Sequence, residues 1–317
     1  YDKAILQVYD KPIMYFPKFF HPDPTVNRQS GFLRPQLNNS DVLGSSIYIP
    51  YFHVISQNKD LTFKPTIFDS DIKMIQGEYR QENLNSSFIS DFNIVKGYKS
   101  TALNKKSSLT HLFSKYDIDL NLKEYTKSFV SFFAEITNND TYLKIFDTNL
   151  IDIDKTIKPG NNSSLHSGVK IELDNENFNF SSGMDVYENL TIGTSSDKYQ
   201  YILPYYNFSK NIFSNNLGII DLASSGSNKL SNTNNLRSRI INDLSISSYD
   251  NYSDFGFKNN INAYLKNLNT IGKNDAKYKS RPSMEVASIY ELSTSLPMKK
   301  NKQNISEFLT PKISFRI

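Results

Sequence analysis

Residues 15–37 read YFPKFFHPDPTVNRQSGFLRPQL, and four of the chain's twelve prolines lie in this stretch. A proline fixes φ, lacks a backbone N–H and biases the preceding residue toward an extended conformation. No helix, and no strand in the middle of a sheet, is therefore expected to cross it. Because the stretch is also rich in aromatic residues, we interpret it as a rigid, extended joint between two bodies.

The segment before the joint, residues 3–16, is predicted to be a strand with a turn-like Asp10-Lys11-Pro12 in its middle. Apolar residues fall on both of its faces, which is typical of a strand sandwiched inside a core. The sequence thus predicts a small β-structured part ahead of the joint.

Apolar and polar residues alternate in segment after segment beyond the joint. Leu112, Tyr116 and Ile118 share one face of such a segment, and Lys115 and Asp117 share the other. This period of two predicts roughly a dozen β-strands, separated by turns rich in Asn, Ser, Asp and Gly. No long amphipathic helix is predicted, and residues 138–165 and 224–235 are expected to be long loops.

Two classes of protein explain such alternation, and the pattern alone leaves both open. In a soluble β-sandwich the apolar face packs on a second sheet, whereas in a membrane barrel it faces lipid and the polar face lines the lumen. Long strands, aromatic residues near strand ends and charges of both signs on the polar faces favour the barrel. No segment approaches the ~20 apolar residues of a membrane helix, but barrel strands need only ~9–11 residues.

The composition argues against several functions. The net charge of +4 is too small to indicate a nucleic-acid partner, and without cysteine the chain has neither disulfides nor thiolate metal sites. The four histidines, His21, His53, His111 and His166, lack the spacing of metal ligands, so no metal site and no cofactor is predicted. No nucleophile elbow, phosphate loop or zinc motif is present, so no catalytic residue is assigned. A barrel hydrolase with a Ser/His or Asp/His site stays an open alternative.

Two further prolines lie inside predicted strands, Pro50 in SIYIPYFHVI and Pro65 in LTFKPTIF. One interpretation is a tolerated bulge in each strand. The other is a seam in the barrel wall that lacks hydrogen bonds. Each missing bond is worth only ~0.5–1.5 kcal/mol net, so two prolines would loosen such a seam without destroying the barrel.

The joint also carries a family resemblance. Its YFPKFFHPDPTVNRQSGFL, followed by LGSSIYIPYFHVISQNKDLTFKP at residues 43–65, resembles the junction of the LptD (OstA/Imp) family of lipopolysaccharide-assembly proteins. Shorter similarities are GEYRQ at 77–81, NDTYLKIFD at 139–147 and LPMKK at 296–300. The resemblance is dense over roughly the first hundred residues and sparse beyond them.

This resemblance implies an all-β fragment of a larger protein. Residues 1–16 would be the last strand of a periplasmic β-jellyroll, residues 17–40 the joint, and residues 41–317 the N-terminal part of an antiparallel transmembrane β-barrel. The implied location is the bacterial outer membrane, with the N-terminal part in the periplasm.

The function implied is lipopolysaccharide transport into the outer leaflet of a Gram-negative outer membrane, without enzymatic activity. The glycolipid would pass through the barrel lumen and leave at a lateral gate formed by the first strands. Implied partners are lipopolysaccharide, a plug lipoprotein of the LptE type and a periplasmic bridge protein of the LptA type. A general porin, an outer-membrane enzyme and a soluble β-sandwich are the alternatives. The residues carried over are the gate prolines Pro50 and Pro65 and the joint residues Pro17, His21, Pro22, Asp23, Pro24, Arg28 and Gly31.

Overall fold

The computed structural model describes residues 2–8, 11–18, 28–99, 106–146, 157–191, 198–231, 234–302 and 305–317. Apart from one short helix, its regular structure is antiparallel β-sheet, which confirms the predicted fold class. None of the helices in these ranges is long and apolar enough to cross a membrane.

The first two strands form a sheet of their own. β1 (Asp2–Val8) pairs antiparallel with β2 (Lys11–Lys18), and Asp2 lies opposite Lys18. The single interrupted strand predicted for residues 3–16 is therefore a pair of strands. Each half satisfies the backbone groups of the other, which a lone strand cannot do for itself.

The other strands form a closed antiparallel barrel and one small separate sheet. The first barrel strands are β3 (Gly31–Phe32), β4 (Gln36–Ser40), β5 (Gly44–Tyr48), β6 (Tyr51–Ser56), β7 (Lys59–Phe68), β8 (Lys73–Glu82), β9 (Ser86–Lys99), β10 (Lys106–Asp119) and β11 (Lys127–Thr137). After the helix α1 (Tyr142–Ile145) come β12 (Ser164–Asn175), β13 (Phe178–Asn189), β14 (Tyr199–Asn215), β15 (Gly218–Ser231), β16 (Asn235–Ser248), β17 (Asn251–Tyr252), β18 (Lys258–Lys273), β19 (Ser283–Ser295) and β22 (Lys312–Arg316). β20 (Met298–Lys302) and β21 (Ile305–Leu309) pair with each other in the separate sheet.

The first two positions of the barrel are each occupied by two short strands. β3 pairs with β6 and β4 pairs with β5, while β5 and β6 both pair with β7. Residues 31–40, which sequence reasoning assigned to the joint, thus contribute strands to the barrel wall. The paired registers run on from here to β22, and the barrel closes where β22 neighbours β3.

Burial identifies the enclosed face of the barrel. On β9, Asp91, Asn93 and Val95 are at most 1% exposed, whereas the alternating Ile94 is 49% exposed. The same contrast separates buried His111 from exposed Leu112 on β10. Because side chains of a strand alternate between its two faces, the inner face is the polar one and the outer face is the apolar one.

One registered row follows the inner face around most of the barrel. It connects Ser131, Lys170, Gly183, Tyr205, Ser227, Arg239, Thr270 and Ser283 through consecutive strand pairs. Side chains of β15, β16, β18 and β19 that lie on this row therefore face the lumen.

The prediction of one of the two long loops is wrong. Residues 224–235 were expected to be a loop, but β15 continues to Ser231 and β16 begins at Asn235. Their Ser- and Asn-rich composition is accommodated because these side chains bond across strands, for example Ser224 Oγ to Asn242 Oδ1 at 2.7 Å. The other expected loop, residues 138–165, contains α1 between β11 and β12.

The helix α1 fills part of the barrel interior. Tyr142 and Leu143 are at most 2% exposed and belong to the same buried apolar cluster as Val95, Leu109 and Phe113. Those three residues lie on the inner face of β9 and β10. The connection after β11 therefore folds back into the lumen.

Candidate functional site

Three prolines line up across the first three positions of the barrel. Pro35 lies between β3 and β4, Pro50 lies between β5 and β6, and Pro65 lies within β7. The β5–β7 register ends at Tyr48 opposite Thr66, and the β6–β7 register resumes at Tyr51 opposite Phe63. We call Pro35, Pro50 and Pro65 the proline line.

The wall is thinly hydrogen-bonded along this line. A proline has no backbone N–H, and the residue pairs of β3–β6 and β4–β5 stop on either side of it. One bond, from Leu33 N to the Pro50 carbonyl at 2.8 Å, connects the first two positions here. On its other side β7 stays in register with β8, where Pro65 lies opposite Ile75. The weak region is thus confined to the start of the barrel.

Sequence reasoning had assigned Pro50 and Pro65 to the first two barrel strands. In the structure they occupy the second and third positions, because residues 31–40 supply the first. Pro35 was counted in the joint and its role was missed. The equal spacing of the three prolines along the chain was only a hint, because antiparallel pairing brings equally spaced residues side by side only when each lies near the middle of its strand.

The predicted joint residues are only partly visible. Pro17 lies in β2, and His21, Pro22, Asp23 and Pro24 lie outside the described residues. Gly31 lies opposite Phe52, and an added Cβ there would meet no heavy atom within 4 Å. A glycine is therefore not required at this position for steric reasons.

Arg28 fastens the end of the joint to the barrel. Asp60 of β7, whose side chain is 4% exposed, forms ion pairs with Arg28 and with Arg80, the latter at 2.9 Å. Arg80 also lies 3.7 Å from Glu78, and the Arg28 guanidinium lies 5.5 Å from the centroid of the Phe52 ring. One buried carboxylate thus holds two guanidinium groups, an arrangement that sequence reasoning did not find.

A buried polar network anchors α1 inside the lumen. The Tyr142 hydroxyl lies 2.7 Å from both Asn93 Nδ2 and His111 Nδ1. His111 Nε2 lies 2.7 Å from Asp91 Oδ1, and Gln76 donates to both Asp91 oxygens at 3.0 and 3.1 Å. A neutral His111 satisfies this geometry, because it donates to Asp91 and accepts from Tyr142.

This network is an Asp–His–Tyr chain, but it is enclosed. The His111 side chain is 0% exposed and the Asp91 side chain 1%. Burial raises the pKa of the Tyr142 phenol above its ordinary value, so the hydroxyl stays protonated. The groups hold α1 in place instead of meeting a substrate. Among the described residues, no group of three or more His, Cys, Asp or Glu side chains is arranged to hold a metal ion.

Known proteins resemble this chain over parts of its length. It is 28% identical to the LPS-assembly protein LptD of Idiomarina loihiensis over 187 residues, or 58% of this chain and 23% of that protein. It is 40% identical to LptD of a Polaromonas species over 77 residues, or 24% of this chain and 9% of that protein. With LptD of Pseudomonas aeruginosa it shares 30% over 94 residues, or 28% of this chain and 10% of that protein. No family model matches the chain.

The chain spans less than a quarter of the length of these relatives. The relatives come from several genera but carry one name, and the structure is the antiparallel barrel that the joint's resemblance implied. Over these parts the chain is similar to LPS-assembly proteins of the LptD family.

Proposed function

We propose that this chain supplies the gate-bearing part of an outer-membrane barrel that assembles lipopolysaccharide in the outer leaflet. The names of its relatives support the substrate and the process. Strands of 10 to 17 residues from β7 to β16, apolar outside and polar inside, support a membrane location. In this proposal residues 1–16 end a periplasmic jellyroll and residues 17–40 form the joint, whose residues 31–40 also supply the first barrel strands. Residues 41–317 continue the N-terminal part of the barrel.

The proline line is the observation that carries the proposal. A glycolipid that reaches the lumen must cross the barrel wall to enter the membrane. Opening a complete antiparallel ladder breaks a hydrogen bond at about every residue pair, each worth ~0.5–1.5 kcal/mol net. Where Pro35, Pro50 and Pro65 lie side by side, some of these hydrogen bonds are missing. Opening the lateral gate at this point therefore requires the least free energy.

The barrel itself is passive in this proposal: the energy for transport is supplied upstream of it, and no residue of the chain acts as a catalyst. The polar inner face solvates the sugars of the glycolipid, while its acyl chains leave sideways near the joint. A plug lipoprotein of the LptE type in the lumen and a periplasmic bridge protein of the LptA type complete the path. Both partners are implied by the resemblance to the LptD family and are proposals for this protein.

Photo-cross-linking in living cells tests the gate. A photoreactive residue replaces Tyr51, which neighbours Pro50 and stacks edge-on against Phe32 at 5.0 Å, in the full-length protein. The matched control replaces Ile118, which lies on the outer face of β10 away from the proline line. We expect a lipopolysaccharide adduct at position 51 that disappears when the cell's energy supply is removed.

Two outcomes would overturn the proposal. The first is a probe at position 51 that inserts normally yet never captures glycolipid, which would indicate a porin or another kind of barrel. The second is equal capture at positions 51 and 118, which would report bulk membrane lipid instead of a gate.

A further inference from the structure

A cavity opens on the inner face of the barrel where β16, β18 and β19 meet the loop after β18. Its volume is about 370 Å³, and its lining includes Arg239, Thr270, Ser283, Lys277 and Lys279. In the closed barrel β22 separates β19 from β3, the first strand of the wall.

Two registered rows build the wall of this cavity. Arg239 lies opposite Thr270, which lies opposite Ser283, so one guanidinium and two hydroxyls share a row on three strands. The neighbouring row places Ile241 opposite Leu268, and these two apolar side chains form the floor of the cavity. Both rows belong to the lumen face, since Arg239 continues the inner row that starts at Ser131.

The loop of residues 274–282 is fixed over the cavity. Asp275 Oδ1 accepts hydrogen bonds from the backbone N–H of Lys277 and of Tyr278, both at 2.8 Å, while Asp275 Oδ2 pairs with Arg237 at 2.8 Å. The hydrogen bond from Arg237 lowers the pKa of Asp275, which keeps this carboxylate ionised. Lys277 and Lys279 are thereby held at the rim beside Arg239.

The charges around the cavity are unbalanced. Arg237 is neutralised by Asp275, but in the described ranges Arg239, Lys277 and Lys279 form no ion pair. Glu285 is the one acidic side chain among the lining residues, which leaves an excess of two positive charges. Three cations that share a concave, hydroxyl-lined site form a good receptor for an anion with several oxygen atoms.

We propose that this cavity binds a phosphorylated saccharide, with the phosphate between Arg239, Lys277 and Lys279. The hydroxyls of Thr270 and Ser283 and the carboxylate of Glu285 then bond to the sugar hydroxyls. The identification of this saccharide with the head group of a glycolipid in the lumen rests on the proposed function. The binding itself depends only on the cavity.

The test measures binding of glucose 6-phosphate to the full-length protein by saturation-transfer NMR. Glucose and inorganic phosphate serve as separate probes, since one lacks the charge and the other lacks the sugar. The variants are R239Q, K277Q and K279Q, singly and together. The matched control is K170Q, a lysine on the same inner row whose partner is Glu172.

We expect the triple variant to weaken glucose 6-phosphate binding at least tenfold and each single variant to weaken it a few-fold, with K170Q unchanged. Equal binding by wild type and variants would overturn the inference, as would equal loss in K170Q. Glucose that binds as well as its phosphate, or inorganic phosphate that competes as well as glucose 6-phosphate, would also overturn it. If the triple variant fails to fold, the inference is judged by the single variants: unchanged glucose 6-phosphate binding in all three would overturn it.

The outcome is separable from that of the gate experiment. Glycolipid capture at position 51 without glucose 6-phosphate binding would remove this site and leave the proposed function. Glucose 6-phosphate binding without glycolipid capture would leave a saccharide site in a barrel of another function.

Discussion

At the scale of single residues, Tyr142 decides whether α1 stays in the lumen. Its hydroxyl contacts Asn93 and His111, and all three side chains are buried. Sequence reasoning saw Tyr142 only as part of a family similarity and His111 as one of four scattered histidines. Neither local pattern nor spacing connects a helix residue to two strands, so this contact was not predictable.

Replacing Tyr142 with phenylalanine should destabilise the barrel by about 2–4 kcal/mol, because two buried polar groups lose their partner. The phenol stays protonated in the folded state, since burial raises its pKa. In the unfolded chain it ionises above pH ~10, so its stabilising contribution is full below that pH and is lost as the pH rises further. The stability gap between wild type and variant should therefore narrow above pH ~10, as measured by urea unfolding at pH 8 to 11.

The control for this prediction is Tyr252→Phe, since Tyr252 is 62% exposed. That variant should unfold like the wild type at every pH. A Tyr142→Phe variant as stable as the wild type, or a gap independent of pH, would contradict the role given to this hydroxyl.

At the scale of elements, the first barrel strands are less completely hydrogen-bonded to each other because their prolines lack a backbone N–H. Sequence reasoning located Pro50 and Pro65 inside strands but could not align them, because alignment requires the register of three strands. The alternation of apolar and polar residues correctly predicted strands such as β8 to β13, since alternation is a local property of each segment. It failed for β15, where serine and asparagine replace part of the apolar face.

Replacing Pro35, Pro50 and Pro65 together with alanine restores three backbone donors along the proline line. We expect the barrel to become more resistant to unfolding by roughly 2–4 kcal/mol in total and lipopolysaccharide to reach the cell surface more slowly. Pulse-labelling of surface lipopolysaccharide measures the transport, and urea unfolding measures the stability. Pro311→Ala is the control, because Pro311 lies outside the strands. Higher stability with unchanged transport would separate the proline line from the gate.

At the scale of the whole molecule, Asp60 couples the joint to the barrel. Its carboxylate holds Arg28 at the end of the joint and Arg80 on β8. Moving Arg28 away from the barrel thus breaks its ion pair with Asp60 of β7. If the proposed gate operates, this ion pair is a physical route by which the joint influences it.

Changing Asp60 to asparagine should loosen this coupling by about 1 kcal/mol, since the two arginine side chains are partly exposed and solvent screens them. Tryptic cleavage after Lys18 and Arg28 in the full-length protein should then be roughly fivefold faster. Asp254→Asn, in an exposed turn, is the control and should leave the cleavage rate unchanged. Equal cleavage rates in Asp60→Asn and wild type would show that the joint is held by other contacts.

Neighbouring residues alone predict the antiparallel β class, the polar and apolar faces of most strands and the proline-rich stretch. The first two follow from the period of two along the chain, and the third follows from the fixed geometry of proline. The tertiary contacts are not predictable in this way: Asp60 meets Arg28, 32 positions away, Asp91 meets His111, 20 positions away, and three prolines share one line. Such contacts depend on strand register, and register is set by the pairing of whole strands, which no local pattern encodes.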